Sequence, residues 1–173
     1  MTIETNVHRE SRLAKLKALQ EKGYNPYPYR FRPDAFAADL QEKYKELEPG
    51  ADTEDRVTVA GRAMAVRNNG MFIDIKDISG KIQAFCHKNH LSEEDIERLK
   101  CLDVGDMVGI SGYVRRTPRG ELSIAAEKFD IISKSLQPLP EKFHGLTDVD
   151  ARYRQRYVDS VSYTHLTLPT KLE

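Results

Sequence analysis

Four side chains of unlike chemistry stand at positions from which they could act together: Arg67, Phe72, Gln83 and Glu121. An aromatic ring turned to solvent is a platform for a nucleobase that has left its stack, worth about 1–3 kcal/mol per base. Stacking accepts any base, so selectivity has to come from hydrogen bonds to Watson–Crick edges. Gln83 offers a donor and an acceptor for that task, while an ionised Glu121 only accepts. Arg67 can pair with a base edge, stack on a ring or hold a phosphate. The chemistry is that of a single-stranded RNA reader. Each residue also has a plainer reading. An outward Phe can pack under a loop, and Gln83 and Glu121 taken singly are ordinary solvated strand residues.

Strand alternation turns these side chains outward. Met71, Ile73 and Ile75 share one face, leaving Phe72, Asp74 and Lys76 on the other. Ile82, Ala84 and Cys86 face in, leaving Lys81, Gln83, Phe85 and His87 outside. Leu122 and Ile124 face in, which puts Glu121 and Ser123 outside. Arg67, just before the Asn69-Gly70 hairpin signal, can reach the same surface.

These strands sit in a larger order. Residues 8–22 read as a helix with Leu13, Leu16 and Leu19 in a narrow stripe. The segment Asn25-Pro26-Tyr27-Pro28-Tyr29 is extended, and a second helix runs from Asp34 to about Leu47. Period-two segments follow from Val57, at 71–76 and at 81–87. A short helix capped by Ser92 then precedes strands over 106–116 and 121–132. Five strands with a helix between the third and fourth predict a mainly β chain with flanking helices: an OB-fold, a five-stranded Greek-key barrel.

Composition fits this. The 173 residues are 39% apolar and 31% charged, with no run approaching the roughly 20 apolar residues that span a bilayer. No secretory signal pattern opens the chain, so a cytoplasmic protein without membrane contact is expected. Cys86 and Cys101 have no companion pair, and His87 and His90 have no evident third ligand, so no metal site is expected. Net charge is zero, with 27 basic and 27 acidic residues, which argues against an indiscriminate nucleic-acid binder. The distribution is uneven: Arg56, Arg62, Arg67, Lys76, Lys81 and Lys88 face only Asp74 and Asp77 in the stretch 56–88. A locally basic surface on a neutral chain suits selective binding of a small RNA.

Several longer segments carry a resemblance. Val59-Ala60-Gly61-Arg62, Gly120-Glu121-Leu122-Ser123-Ile124, the run Leu139 to Leu146 and the run Ala151 to Asp159 resemble the N-terminal region of class II lysyl-tRNA synthetases of bacterial type. The strand-two Phe and the Ile-Gln pair of strand three are shared with aspartyl and asparaginyl enzymes, whereas Phe143-His144-Gly145-Leu146 looks specifically lysyl. The resemblance implies an anticodon-binding domain in which the central uridine stacks on Phe72. Gln83 would read its edge, with Arg67 and Glu121 helping to fix it. It also implies backbone contacts from the first helix (Arg9, Arg12, Lys15, Lys17), while the Arg115-Arg116 hairpin could hold further phosphates.

The implied organisation is a helical extension over 1–55, the OB-fold domain over 56–134 and a linker over 135–148. Residues 149–159 would begin a catalytic domain, and 160–173, which match nothing in that family, read as a non-native tail. The expected parent enzyme joins lysine to tRNA using ATP and magnesium, as a homodimer. The present chain, without an ATP-site motif or cofactor of its own, is expected to bind tRNA with a lysine anticodon, as a monomer, and to catalyse nothing. The rival readings are a general single-strand-binding OB module, an aspartyl- or asparaginyl-type anticodon domain, and a truncated, non-functional gene product whose barrel merely folds.

Overall fold

The structure is a computed structural model, and it describes residues 3–137, with side chains from residue 7 onward. The expected linker beyond residue 137, the start of a catalytic domain and the 160–173 tail lie outside the described residues.

Sustained alternation of apolar residues builds a sheet that closes on itself. Its strands are β1 (Asp52–Arg67), β2 (Phe72–Lys76), β3 (Lys81–Phe85), β4 (Met107–Arg116) and β5 (Leu122–Ser133), in the lateral order β1-β2-β3-β5-β4, with β4 returning to β1. All pairings are antiparallel except β3 with β5. This is the expected five-stranded OB barrel, with helix α3 (Glu93–Lys100) between β3 and β4. Inside, Val59, Ile73, Ile75, Ile110, Ile124, Phe129 and Ile131 are fully buried. Burial on this scale is the main favourable contribution to the fold.

Two devices let the barrel close. Gly112 stands where a Cβ would lie 1.9 Å from the Ala125 carbonyl oxygen, so only glycine allows β4 to approach β5 there. The β1–β2 connection is a short 3-10 turn in which Asn68, Asn69 and Gly70 all have positive φ, at 50°, 54° and 91°. Asn and Gly are the residues that enter this region at least cost. Gly70 also lies under Leu99 of α3, where a Cβ would meet the leucine Cγ at 2.9 Å. Thus α3 fixes the turn between Arg67 and Phe72.

Ser92 caps α3 as expected, its hydroxyl accepting the Asp95 amide at 3.1 Å. Ahead of the barrel, α1 (Ile3–Glu21) begins earlier than the sequence pattern indicates, and α2 (Ala37–Lys43) is shorter. The α2 N-terminus rests on the β2–β3 turn, where Asp77 and Ser79 accept the Ala37 and Ala38 amides. The first strand begins at Asp52, inside the segment expected to be helical extension.

The outward basic face expected of α1 is only partly there. Arg12 donates to the carbonyls of Ser135 at 2.8 Å and Val104 at 3.0 Å. Lys15 pairs with Asp103 at 2.6 Å. Both cations are therefore committed to holding α1 on the barrel, because carbonyls and a carboxylate between 88 and 123 positions away in sequence become their neighbours. Arg9 stays exposed, and Lys17 is exposed with Glu21 at 3.9 Å.

Candidate nucleic-acid interface

Strand register aligns the outward side chains in rows across the barrel. One row runs Arg67, Phe72, Phe85, Ala125, Tyr113 and Arg56, through β1, β2, β3, β5, β4 and back to β1. The next runs Ala65, Asp74, Gln83, Ser123, Arg115 and Asp52 by the same registers. The expectation that Phe72, Gln83 and Glu121 meet on one surface holds. Together with Arg67 and Arg115 they line a groove of about 680 Å³, closed at one end by the β4–β5 hairpin.

The groove's floor is aromatic. The Phe72 and Phe85 rings are 5.2 Å apart and tilted by 38°. The Arg115 guanidinium lies over Phe85 at 5.1 Å, a cation–π arrangement that fixes both groups. Arg115 also faces Asp52 across 3.2 Å, yet its buried Nε makes no hydrogen bond among the described residues. Both rings are half-buried, their inner neighbours being the core residues Ile73 and Ala84.

The rim is polar. Arg67 forms an ion pair with Asp74, and both stay largely accessible, at 53% and 37% of their side-chain area. Such a pair contributes little to stability, so either partner can exchange it for a ligand at small cost. Glu121 is exposed at the end of the hairpin, where Thr117 fixes the chain by donating its amide to the Glu121 carbonyl at 2.9 Å and accepting the Glu121 amide on Oγ1 at 3.1 Å. Arg119, at the hairpin tip, is exposed and has no ion-pair partner among the described residues.

Two expectations change here. Ser123, expected outside, is fully buried: its strand is paired on both sides, and the Gln83 and Arg115 side chains flank it. Its hydroxyl donates to Gln83 Oε1 at 2.9 Å. Arg116, expected to meet phosphate, instead donates to the carbonyls of Gly120 at 2.7 Å and Tyr44 at 2.6 Å, bracing the hairpin against the α2 end. Arg115 does reach the groove. Asp74, on the outer face by its alternation with Phe72, and Arg119, in the basic hairpin tip 115–119, line it as well, although neither is among the residues expected to read the base.

His87 and His90 extend the aromatic row, His87 stacking on Phe85 at 5.7 Å. Among the described residues no three His, Cys, Asp or Glu side chains gather as a metal site would require.

Known proteins agree with this geometry. The family described as an OB-fold nucleic acid binding domain of the tRNA anticodon type matches residues 57–132. The chain is 51% identical over 150 residues to a lysine–tRNA ligase of Sinorhizobium medicae, covering 87% of this chain and 30% of that protein. The barrel is an OB-fold nucleic acid binding domain of the tRNA anticodon type, and the chain is similar to the matching part of lysine–tRNA ligases. A lysine–tRNA ligase of Rhizobium etli is also 51% identical over 150 residues, with the same coverage of both chains. The chloroplastic/mitochondrial lysine–tRNA ligase of Arabidopsis thaliana is 46% identical over 160 residues, covering 89% of this chain and 27% of that one. The chain thus spans about 30% of the length of the bacterial relatives. No helix among the described residues is long and apolar enough to cross a membrane.

Proposed function

We propose that the groove binds the anticodon loop of a transfer RNA with a lysine anticodon, with its central uridine stacked on Phe72 and read by Gln83. The observation that carries this reading is the meeting of an aromatic pair with a held amide in one groove. The pair supplies stacking energy and the amide supplies edge selection, the two requirements for reading an unstacked base. Arg67 and Glu121 border the same base, and Arg115 and Arg119 offer charge to the phosphates on either side. Arg9 and Lys17 of α1 are the remaining candidates for a more distant backbone contact.

In the whole protein this binding would serve the joining of lysine to tRNA, an activity proposed here from the relatives' names. ATP and magnesium would belong to that activity. Among the described residues nothing gathers to hold the metal, so no step of the reaction is assigned to these side chains. The chain as given is proposed to bind without catalysing, as a monomer, in the cytoplasm.

The test is binding of a labelled lysine-anticodon stem-loop, compared with a loop carrying a changed central base, for wild type and Phe72→Ala. Losing the platform should weaken binding by about 1–3 kcal/mol, roughly five- to 150-fold, with the barrel still folded. Equal binding of both loops by wild type would favour a general single-strand module. An unchanged affinity in Phe72→Ala would remove the ring from the site.

A further inference from the structure

We infer that Ser123 is a specificity-determining residue that acts through Gln83, holding the glutamine amide in the one orientation that accepts uracil and rejects cytosine. The inference rests on the reading of the groove as a base-binding site and goes beyond it, since Ser123 itself is fully buried and touches no ligand.

A buried hydroxyl has one proton to place and no water to take it. The Ser123 hydroxyl has two acceptors in range, Gln83 Oε1 at 2.9 Å and the Glu121 carbonyl at 3.5 Å. The first is a normal hydrogen bond and the second sits at the outer limit. Were the amide reversed, Gln83 Nε2 would donate to Ser123 and strand the hydroxyl proton on the distant carbonyl. The neighbour on the other side argues the same way. Asp74 is the cross-strand partner of Gln83 on β2 and carries a carboxylate, which favours the amide NH2 end. Hydroxyl donor on one flank and carboxylate on the other select a single amide orientation.

That orientation has consequences for a base. Gln83 Nε2 has no protein partner among the described residues, and Oε1 keeps a second lone pair. Uracil presents a carbonyl acceptor beside an N3–H donor, which matches the NH2 and the free lone pair of Oε1 together. Cytosine presents an amine donor beside a bare N3 acceptor, so donor meets donor and acceptor meets acceptor. A freely rotating glutamine would turn over and pair with cytosine equally well. The serine removes that freedom.

The experiment measures the uridine-to-cytidine affinity ratio at the central position of the stem-loop for wild type, Ser123→Ala, Gln83→Ala and the double variant. Losing one neutral hydrogen bond should lower the ratio about three- to tenfold in Ser123→Ala, with part of the change appearing as tighter binding of the cytidine loop. In the Gln83→Ala background, Ser123→Ala should change the ratio no further. An unchanged ratio in Ser123→Ala, with the ratio lost in Gln83→Ala, overturns the role of Ser123 and leaves the base reading standing. So does an equal loss of affinity for both loops, which is the mark of a merely structural serine. A ratio near one in wild type overturns the base reading itself.

Discussion

Replacing Lys134 by methionine should destabilise the barrel more than any change in the RNA groove. The Lys134 side chain is completely buried where the chain leaves β5, with its ammonium 2.5 Å from Asp103 Oδ2 and 2.6 Å from Asp106 Oδ2. Asp106 is itself fully buried. Methionine fills the space of the lysine stem but leaves the Asp106 carboxylate without its cation. Breaking one side of a buried pair costs about 3–5 kcal/mol. The lower end applies here, because Asp106 keeps the amides of Asp103 at 2.8 Å and Ser135 at 2.7 Å, and Asp103 keeps Lys15. With a urea slope near 2 kcal/mol per molar, a loss of about 3 kcal/mol lowers the unfolding midpoint by about 1.5 M. The gap should depend on pH. Burial pushes the Asp103 carboxyl up, but the hydrogen bonds from Lys134 and Lys15 outweigh it and hold the group below its ordinary value. A lowered folded-state value gives stability that is complete above the unfolded carboxyl value and is lost as pH falls from there through the lowered folded value. The difference between wild type and variant therefore narrows below about pH 4. A midpoint at pH 7 within about 0.5 M of wild type would refute the reasoning.

Gly112→Ala should lower the thermal midpoint through a loss of about 2 kcal/mol or more, since the added methyl meets the Ala125 carbonyl at 1.9 Å; an unchanged midpoint would mean β4 and β5 can separate freely there. Burial, with a smaller push from the Asp95 charge, raises the Cys86 thiol to about 12, so the folded protein should react at pH 8 only through the more accessible Cys101. Thiol titration giving two fast groups in the folded state would contradict that burial.

The barrel was legible because β2 and β3 keep a strict alternation, and Ile73, Ile75, Ile82 and Ala84 are buried as that alternation requires. Phe72 and Gln83 follow from the same rule. Ser123 does not, because one strand's alternation says nothing of what its neighbours lay over it. Here β3 and β4 flank both sides of β5, and Ala125, next on that face, is buried too. The α1 cations fail for a related reason. A helical face of Arg and Lys looks solvated until the fold supplies Asp103 and the Val104 and Ser135 carbonyls. Lys134 is the extreme case, a lysine with no local sign of burial whose two carboxylates lie about 30 positions earlier.

The most direct measurement is a titration of the isotopically labelled chain with the lysine-anticodon stem-loop, followed by amide NMR shifts. The account predicts that the amides of Phe72, Gln83, Phe85, Arg115 and Glu121 move together, while those of Lys22, Arg98 and Lys100 stay in place. Shifts confined to α1 and α3, with the outer face of β2 and β3 unmoved, would contradict it.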